Sequence, residues 1–118
     1  PGLRLRPLHF RPTFQKHGGT TCGGIQLHVM RPEAVRSLRT TWALLAAAWR
    51  LSGGAMRWRT ERYEFVDDRP AIDLLAGGEW LREALEAGTP ARELVAAQEP
   101  GRQRFLERRR TFLRYPAP

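Results

Sequence analysis

The clearest pattern in the chain is an apolar stripe that follows residues 35–49. Its spacings of three and four residues are typical of one face of an amphipathic helix. Pro32 and Glu33 favour a helix start there, because proline is tolerated in the first turn and an acidic side chain suits the positive end. Gly53 and Gly54 predict its end. The stripe consists of Val35, Leu38, Trp42, Leu45 and Trp49.

Two earlier segments alternate between apolar and polar residues, as strands do. Residues 3–10, LRLRPLHF, alternate until Pro7. Because proline cannot donate to a strand ladder, we expect an edge strand or a bulge there. Residues 25–29, IQLHV, place Ile, Leu and Val on one face and Gln26 and His28 on the other. If the apolar face lies on the core, Gln26 and His28 point away from it.

The second half of the chain favours short helices. Residues 56–68 predict brief strands or an extended segment, and residues 70–75 and 79–88 predict helices that end at glycines. Thr89 precedes a proline and resembles a helix N-cap. Pro100 interrupts the final pattern, and since an interior proline costs about 3 kcal/mol we expect a kink or two separate helices there.

The order of elements predicts an α+β fold, a small mostly antiparallel sheet covered on one face by several helices. The chain has 118 residues, 42% of them hydrophobic and 27% charged, which suits a single domain over residues 1–118. Its longest apolar run, residues 42–49, is far shorter than the about 20 residues that span a bilayer, so no membrane span is expected. The chain begins Pro-Gly without methionine or a signal-like segment, and we expect a piece of a longer protein.

Basic residues outnumber acidic ones by 20 to 12, for a net charge of +8. Such an excess attracts polyanions, including acidic glycans, anionic lipids and nucleic acids. Lys16 is the one lysine and the other basic residues are arginines, a ratio typical of a GC-rich genome. Nucleic-acid binding is therefore the less favoured interpretation.

The segment between the strands concentrates the reactive groups. Residues 11–24 hold Lys16, His17 and the chain's one cysteine, Cys22, between two glycine pairs. Histidine and cysteine are zinc-ligand types, but the spacings His17-x4-Cys22 and Cys22-x5-His28 match no compact zinc signature. We therefore expect no metal and no cofactor.

Cys22 as a nucleophile would need a base such as His17 or His28 within hydrogen-bond reach. A lone thiol beside glycines is more often a packed residue, and packing is the favoured interpretation. The glycine pairs do not match a phosphate-binding loop, and their expected role is positive φ and close backbone approach.

No convincing pair of catalytic carboxylates is found in the sequence. Asp67 and Asp68 are adjacent, so in an extended segment they point to opposite sides. Glu79, Glu83 and Glu86 are expected on an exposed helix face. The arginine-rich residues 102–110 are typical of a solvated helix face. The more specific alternative is a helix face that binds an acidic partner.

Residues 10–29 resemble the motif F-x-P-T-F-S-K-x-x-G-x-x-C-G-G-V-Q-I-H-V of the C-terminal domain of the NamZ family, bacterial exo-β-N-acetylmuramidases formerly classed as a domain of unknown function. Residues 63–88 and the terminal segment 105–115 also resemble that family, so the likeness covers nearly the whole chain. Gln15 departs from the usual serine, and Pro100 lies in a helix that is normally continuous. The residues in register are Phe10, Pro12, Thr13, Phe14, Lys16, Gly19, Cys22, Gly23, Gly24, Gln26, His28 and Val29.

The resemblance implies a parent glycosidase with a Rossmann-like N-terminal catalytic domain that is absent here. This chain would be an auxiliary domain, inactive alone, that faces the missing domain and supplies one wall of a cleft for peptidoglycan-derived sugar. The implied reaction removes N-acetylmuramic acid from non-reducing ends. A bacterial cell-envelope or secreted location is favoured, with a cytoplasmic one left open. The expected substrate-binding residues are Thr13, Lys16, His17, Cys22, Gly23, Gly24, Gln26 and His28.

Two alternatives remain open at the level of the sequence. The chain could be a non-catalytic basic module that binds an anionic polymer, either glycan or nucleic acid. In that case many arginines contribute to the affinity, and loss of Lys16 alone lowers it only slightly. The loop could instead be purely structural and pack against the missing domain, leaving an exposed apolar patch on this chain.

Overall fold

A computed structural model describes residues 2–115. It contains a two-stranded antiparallel sheet and four α-helices, which confirms the α+β class. The chain divides between Ser37 and Leu38 into two compact units, a hairpin unit and a helical unit.

The hairpin unit consists mainly of strands β1 (Leu3–Phe10) and β2 (Cys22–Val29). They pair one to one from Leu3 opposite Val29 to Phe10 opposite Cys22. The register passes through Pro7 without a bulge, and a two-stranded sheet makes β1 the expected edge strand. β2 begins earlier than its alternation predicts, so Cys22 and the glycine pair after it belong to the strand.

Helix α1 spans Ser37–Leu51, so the predicted start at Pro32 is wrong. A short 3-10 helix, Pro32–Ala34, forms there instead. It is followed by extended backbone at Val35, with φ −84° and ψ 132°, which separates the two helices. The predicted end is confirmed, because Gly53 and Gly54 adopt left-handed φ values of 56° and 84°.

The helical unit continues with α2 (Ala71–Ala76), α3 (Trp80–Glu86) and α4 (Ala91–Arg109). The predicted short helices are thus confirmed, and a 3-10 turn, Arg110–Phe112, follows α4. Of the two forms expected for residues 56–68, the extended one is found, with a single β-bridge between Tyr63 and Val66. Thr89 is not the N-cap, because Pro90 occupies that position with extended backbone.

Helix α4 passes through Pro100 without dividing into two helices. Proline has no N–H, so the backbone bond to the Ala96 carbonyl is missing there. Side chains span the same turn: Arg102 donates to Glu99 at 2.9 and 2.6 Å, and Gln103 donates to Glu99 at 2.7 Å. These bonds lower the pKa of Glu99 to about 2, with Arg102 as the largest cause.

The core of the helical unit is small and is built from leucine and tryptophan. Leu81, Leu85 and Leu94 are 1–2% exposed and form its centre. Two tryptophan pairs pack beside it. The rings of Trp42 and Trp80 meet edge to face at 5.3 Å, and those of Trp49 and Trp58 stack at 4.9 Å.

A buried ion pair joins α2 to α3. Asp73 is 3% exposed and accepts hydrogen bonds from Arg82 Nε at 3.0 and 3.1 Å and from Nη2 at 3.0 Å. The Asp73 carboxylate raises the pKa of Arg82 above its usual value. Glu86 lies 3.8 Å from the same guanidinium and also accepts a 2.8 Å hydrogen bond from Trp58 Nε1, which ties the extended segment to α3.

Within residues 2–115, no helix is both long enough and apolar enough to cross a membrane.

The buried ion pair yields a first prediction. Asp73→Asn should lower the free energy of unfolding by about 2 kcal/mol, because the buried partner of Arg82 loses its charge. Urea unfolding of the chain measures this. Asp68→Asn is the matched control, since Asp68 pairs with Arg69 in the same way but is 64% exposed. Equal effects of the two substitutions would contradict a structural role for the buried pair.

The Glu99 bridge yields a prediction about pH. Because the pKa of Glu99 is lowered from 4.5 to about 2 in the fold, its stabilisation is present above pH 4.5 and is lost as the pH falls toward 2. Far-UV circular dichroism should show helix loss over that window. The Glu99→Gln variant should lose less helix over the same pH range than the unchanged chain does. Overlapping titration curves for the two proteins would contradict a stabilising role for the Glu99 bridge.

Candidate functional site

The loop between β1 and β2 is held by its own hydrogen bonds. Three of its amides donate within the loop, from Gly18 to Gln15 at 3.2 Å, from Gly19 to Pro12 at 2.8 Å and from Thr20 to His17 at 2.9 Å. These three amides are therefore occupied within the loop, which forms a turn held by its own backbone.

A side chain and unusual backbone angles complete this turn. Arg11 Nε donates to the Gly19 carbonyl at 2.6 Å and closes the loop across its base. Gln15 and His17 both have φ 60°, a conformation that costs a non-glycine residue about 1–2 kcal/mol. Gly19, at φ 76°, adopts the same region without that cost. Strain of this kind is concentrated at functional sites in proteins.

The strand register sorts the candidate residues onto two faces. His28 pairs with Arg4 and Gln26 pairs with Arg6, and residues that pair across antiparallel strands share a face. Cys22 and Gly24 follow the same parity, whereas Gly23 lies on the opposite face. We call the surface of Arg4, Arg6, Gln26 and His28 the polar face.

Arg4 and Arg6 were missed as candidate site residues from the sequence. Their signal was the LRLR alternation of residues 3–6, which places both arginines on one side of β1. The alternation alone does not say which residues of β2 they face. Only the pairing register brings them opposite the histidine and glutamine.

The other face of the hairpin is apolar. Leu3, Leu5 and Pro7 of β1 pair with the Val, Leu and Ile of β2. Ile25, Leu27 and Val29 are 42–57% exposed, although their alternation is typical of a face that is buried. His28, by contrast, is half-buried.

Cys22 is half-buried, and its thiol donates to the Thr20 carbonyl with a sulfur–oxygen distance of 3.6 Å. His28 lies six residues farther along the same strand, roughly 20 Å away, which is beyond the reach of a general base. Gly24 contacts Phe10 closely, since a Cβ on Gly24 would lie 2.8 Å from the Phe10 ring.

The remaining candidates lie on the loop and are open to solvent. Thr13, Lys16 and His17 are exposed, as is Gln26 on the strand. No group of three or more His, Cys, Asp or Glu side chains within residues 2–115 could hold a metal ion. The structure thus gathers cations and hydrogen-bond donors here, not metal ligands.

The charge of the hairpin unit is strongly positive. Residues 2–37 contain six lysine or arginine residues and one acidic residue, Glu33. A glycosidase needs two carboxyl groups that flank the scissile bond, so this unit cannot supply such a pair by itself. In the helical unit Asp73 is bound to Arg82, and the hydrogen bond from Arg69 lowers the pKa of Asp68.

Two cavities lie in the helical unit. One, of about 390 Å³, lies between α1 and the connection from α3 to α4, and Ala46, Trp49, Leu85 and Pro90 are among its lining residues. The other is a groove on α4. The hairpin loop is open to solvent, because Thr13, Lys16 and His17 are exposed.

The comparisons with known proteins agree along the whole chain. A family model described as "Exo-beta-N-acetylmuramidase NamZ, C-terminal" matches residues 1–115. The protein "Peptidoglycan beta-N-acetylmuramidase NamZ" of Bacillus subtilis (strain 168) is 31% identical over 115 residues, which are 98% of this chain and 26% of the relative. No solved structure matches. The chain spans about a quarter of the length of this relative, and it belongs to the NamZ C-terminal family.

Proposed function

We propose that this chain is the auxiliary domain of a peptidoglycan exo-β-N-acetylmuramidase, and that its hairpin loop and polar face supply one wall of the sugar-binding cleft. The observation that carries the proposal is the composition of the hairpin unit. It collects cations and neutral hydrogen-bond donors on one open surface, with Glu33 as its one acidic residue. Such a surface can bind an acidic sugar but cannot cleave it.

Each candidate side chain has a role in this proposal. N-acetylmuramic acid carries a lactyl carboxylate, and the exposed ammonium of Lys16 is a point charge suited to bind it. His28 and Gln26 can hydrogen-bond to sugar hydroxyls or to the acetamido group. Arg4 and Arg6 lie opposite these two residues and add positive charge to the same face.

The loop geometry supports such a binding role. Three of its amides donate within the loop and Arg11 bonds across its base, so Lys16 and His17 lie on a turn that is held by its own hydrogen bonds. Binding to a preorganised surface avoids the entropic cost of fixing a mobile loop. Thr13, before the turn, and Gly23 and Gly24, after it, complete the proposed wall.

The catalytic carboxylates belong, in this proposal, to a Rossmann-like domain elsewhere in a longer protein. Two observations support that division. The chain corresponds to 26% of the Bacillus subtilis relative, so about three quarters of that protein has no counterpart here. The Ile25, Leu27 and Val29 face is roughly half exposed, and a contiguous apolar face of this kind favours contact with further protein.

The division of labour predicts where activity resides. The longer protein that carries this domain should release N-acetylmuramic acid from a MurNAc-GlcNAc disaccharide, and the present chain alone should release none. Chromatography of the released sugar measures both. Release by the chain alone would contradict the auxiliary role, and no release by either protein would remove the hydrolase assignment.

Lys16 provides the sharper prediction. In the longer protein, Lys16→Ala should raise KM for the MurNAc-terminated disaccharide about tenfold, because a charge-assisted contact is lost, and Lys16→Arg should retain most of the affinity. Arg31→Ala is the control, an exposed cation outside the loop. An equal rise in KM for the control would favour diffuse charge over a specific contact.

The dependence of substrate binding on ionic strength distinguishes a sugar pocket from a surface that binds an anionic polymer. A single Lys16–carboxylate contact should make KM only weakly dependent on salt. A surface on which many arginines contact one anionic polymer should lose affinity for it steeply as the salt concentration rises. Steady-state kinetics between low and physiological salt distinguish the two, and a steep loss that is insensitive to Lys16→Ala would contradict the pocket.

A further inference from the structure

A second surface with unmatched charge lies on the later half of α4. An open groove of about 340 Å³ runs among the side chains of Gly101, Arg104, Phe105 and Arg108, and we call it the α4 groove. These residues occur at i, i+3, i+4 and i+7, so they share about 100° of the helix circumference. Phe105 is 56% exposed, which leaves an aromatic ring open to solvent on the same groove as the two arginines.

The arginines of the α4 groove differ from Arg102 in pairing. Arg102, on the same helix, donates two hydrogen bonds to Glu99, and Arg82 is bound by Asp73. Within residues 2–115, neither Arg104 nor Arg108 makes a side-chain ion pair or hydrogen bond. The groove therefore carries two guanidinium groups that no carboxylate of the described residues neutralises.

Gly101 leaves the floor of the α4 groove without a side chain, although glycine destabilises the helix at that position. Glycine is disfavoured inside a helix, and Gly101 directly follows the disfavoured Pro100. A Cβ on Gly101 would meet only Arg104 Nη2, at 3.9 Å, so a larger side chain would fit and the glycine is not required by packing. A residue that is unfavourable for its local secondary structure, and that packing does not require, is expected at a functional position.

We propose that the α4 groove binds an anionic glycan strand whose sugars carry carboxylates. A guanidinium group binds a carboxylate in a bidentate manner, and Arg104 and Arg108 are one helical turn apart. The negative face of the Phe105 ring, which lines the same groove, suits the C–H face of a sugar. The choice of a carboxylated glycan rests on the proposed function, whereas the groove itself is a separate surface from the hairpin.

The groove favours a glycan over a nucleic acid because of its small aromatic content. Proteins that bind single-stranded nucleic acid stack successive bases on several aromatic side chains along a basic track. The α4 groove offers one ring, Phe105, beside two cations. That arrangement fits an acidic sugar better than a run of stacked bases.

The test uses the present chain and soluble, peptide-free peptidoglycan glycan strands, with binding measured by fluorescence anisotropy. The double variant Arg104→Gln/Arg108→Gln should weaken binding about tenfold or more, because both bidentate contacts are lost. Arg39→Gln/Arg62→Gln is the matched control, which removes two exposed guanidinium groups of the same unit. It should weaken binding less than about twofold, as expected for screened charge. Equal losses in the two double variants would overturn the proposal.

Gly101→Leu separates the shape of the groove from its charge. The net charge is unchanged and leucine is a better helix former, so thermal unfolding should show an intact or more stable fold. Filling the groove should nevertheless weaken glycan binding about threefold or more, since shape complementarity is lost. A folded variant with unchanged affinity would overturn the assignment of the groove.

Two further arms identify the ligand and the surface. Single-stranded DNA should bind more weakly than the glycan strands at the same salt concentration. Tighter DNA binding that depends on Arg104 and Arg108 would replace the glycan by nucleic acid. Arg31→Ala, which removes an exposed cation outside the hairpin loop, should leave strand binding unchanged. Because the groove is tested by strand binding to the present chain and Lys16 by the kinetics of the longer protein, a failed Lys16 prediction would count against the hairpin pocket and not against the groove.

Discussion

The one-to-one register between β1 and β2 is the constraint on which the site depends. Side chains alternate along a strand, so a slip by one residue would move every side chain of β2 to the other face. In the observed register Arg4 lies opposite His28 and Arg6 opposite Gln26. The same register collects the apolar residues on the opposite face. A polar surface and an apolar surface thus arise together from a single pairing.

Arginine serves two distinct purposes in this chain. Some guanidinium groups are bound by carboxylates: Arg82 joins α3 to α2 through Asp73, and Arg102 bridges one turn within α4 through Glu99. Others, including Arg104 and Arg108, have no such partner in the part of the chain that the structure describes. A net charge of +8 does not separate these purposes, because it counts both kinds equally. The pattern of pairing separates them, and it directs attention to the hairpin and to α4.

The sequence predicts the elements better than their junctions. The apolar stripe and the two glycines at 53 and 54 predict the body and end of α1, because periodicity and left-handed backbone are local properties. The start at Ser37 could not be predicted, since Val35 continues the apolar spacing but adopts extended backbone. At Pro100 the local penalty predicts a kink or a break, whereas side chains three and four residues apart bridge the turn. The hairpin loop was found as a candidate site, but Arg4 and Arg6 required the register.

We propose that the hairpin unit forms one wall of a muramic acid site in a longer enzyme. The decisive experiment is a crystal structure of that longer protein with a MurNAc-terminated disaccharide bound. We expect the lactyl carboxylate to lie within hydrogen-bond distance of Lys16 Nζ, with the sugar hydroxyls or acetamido group facing Gln26 and His28. A bound sugar that contacts no residue of the hairpin loop or polar face would contradict it.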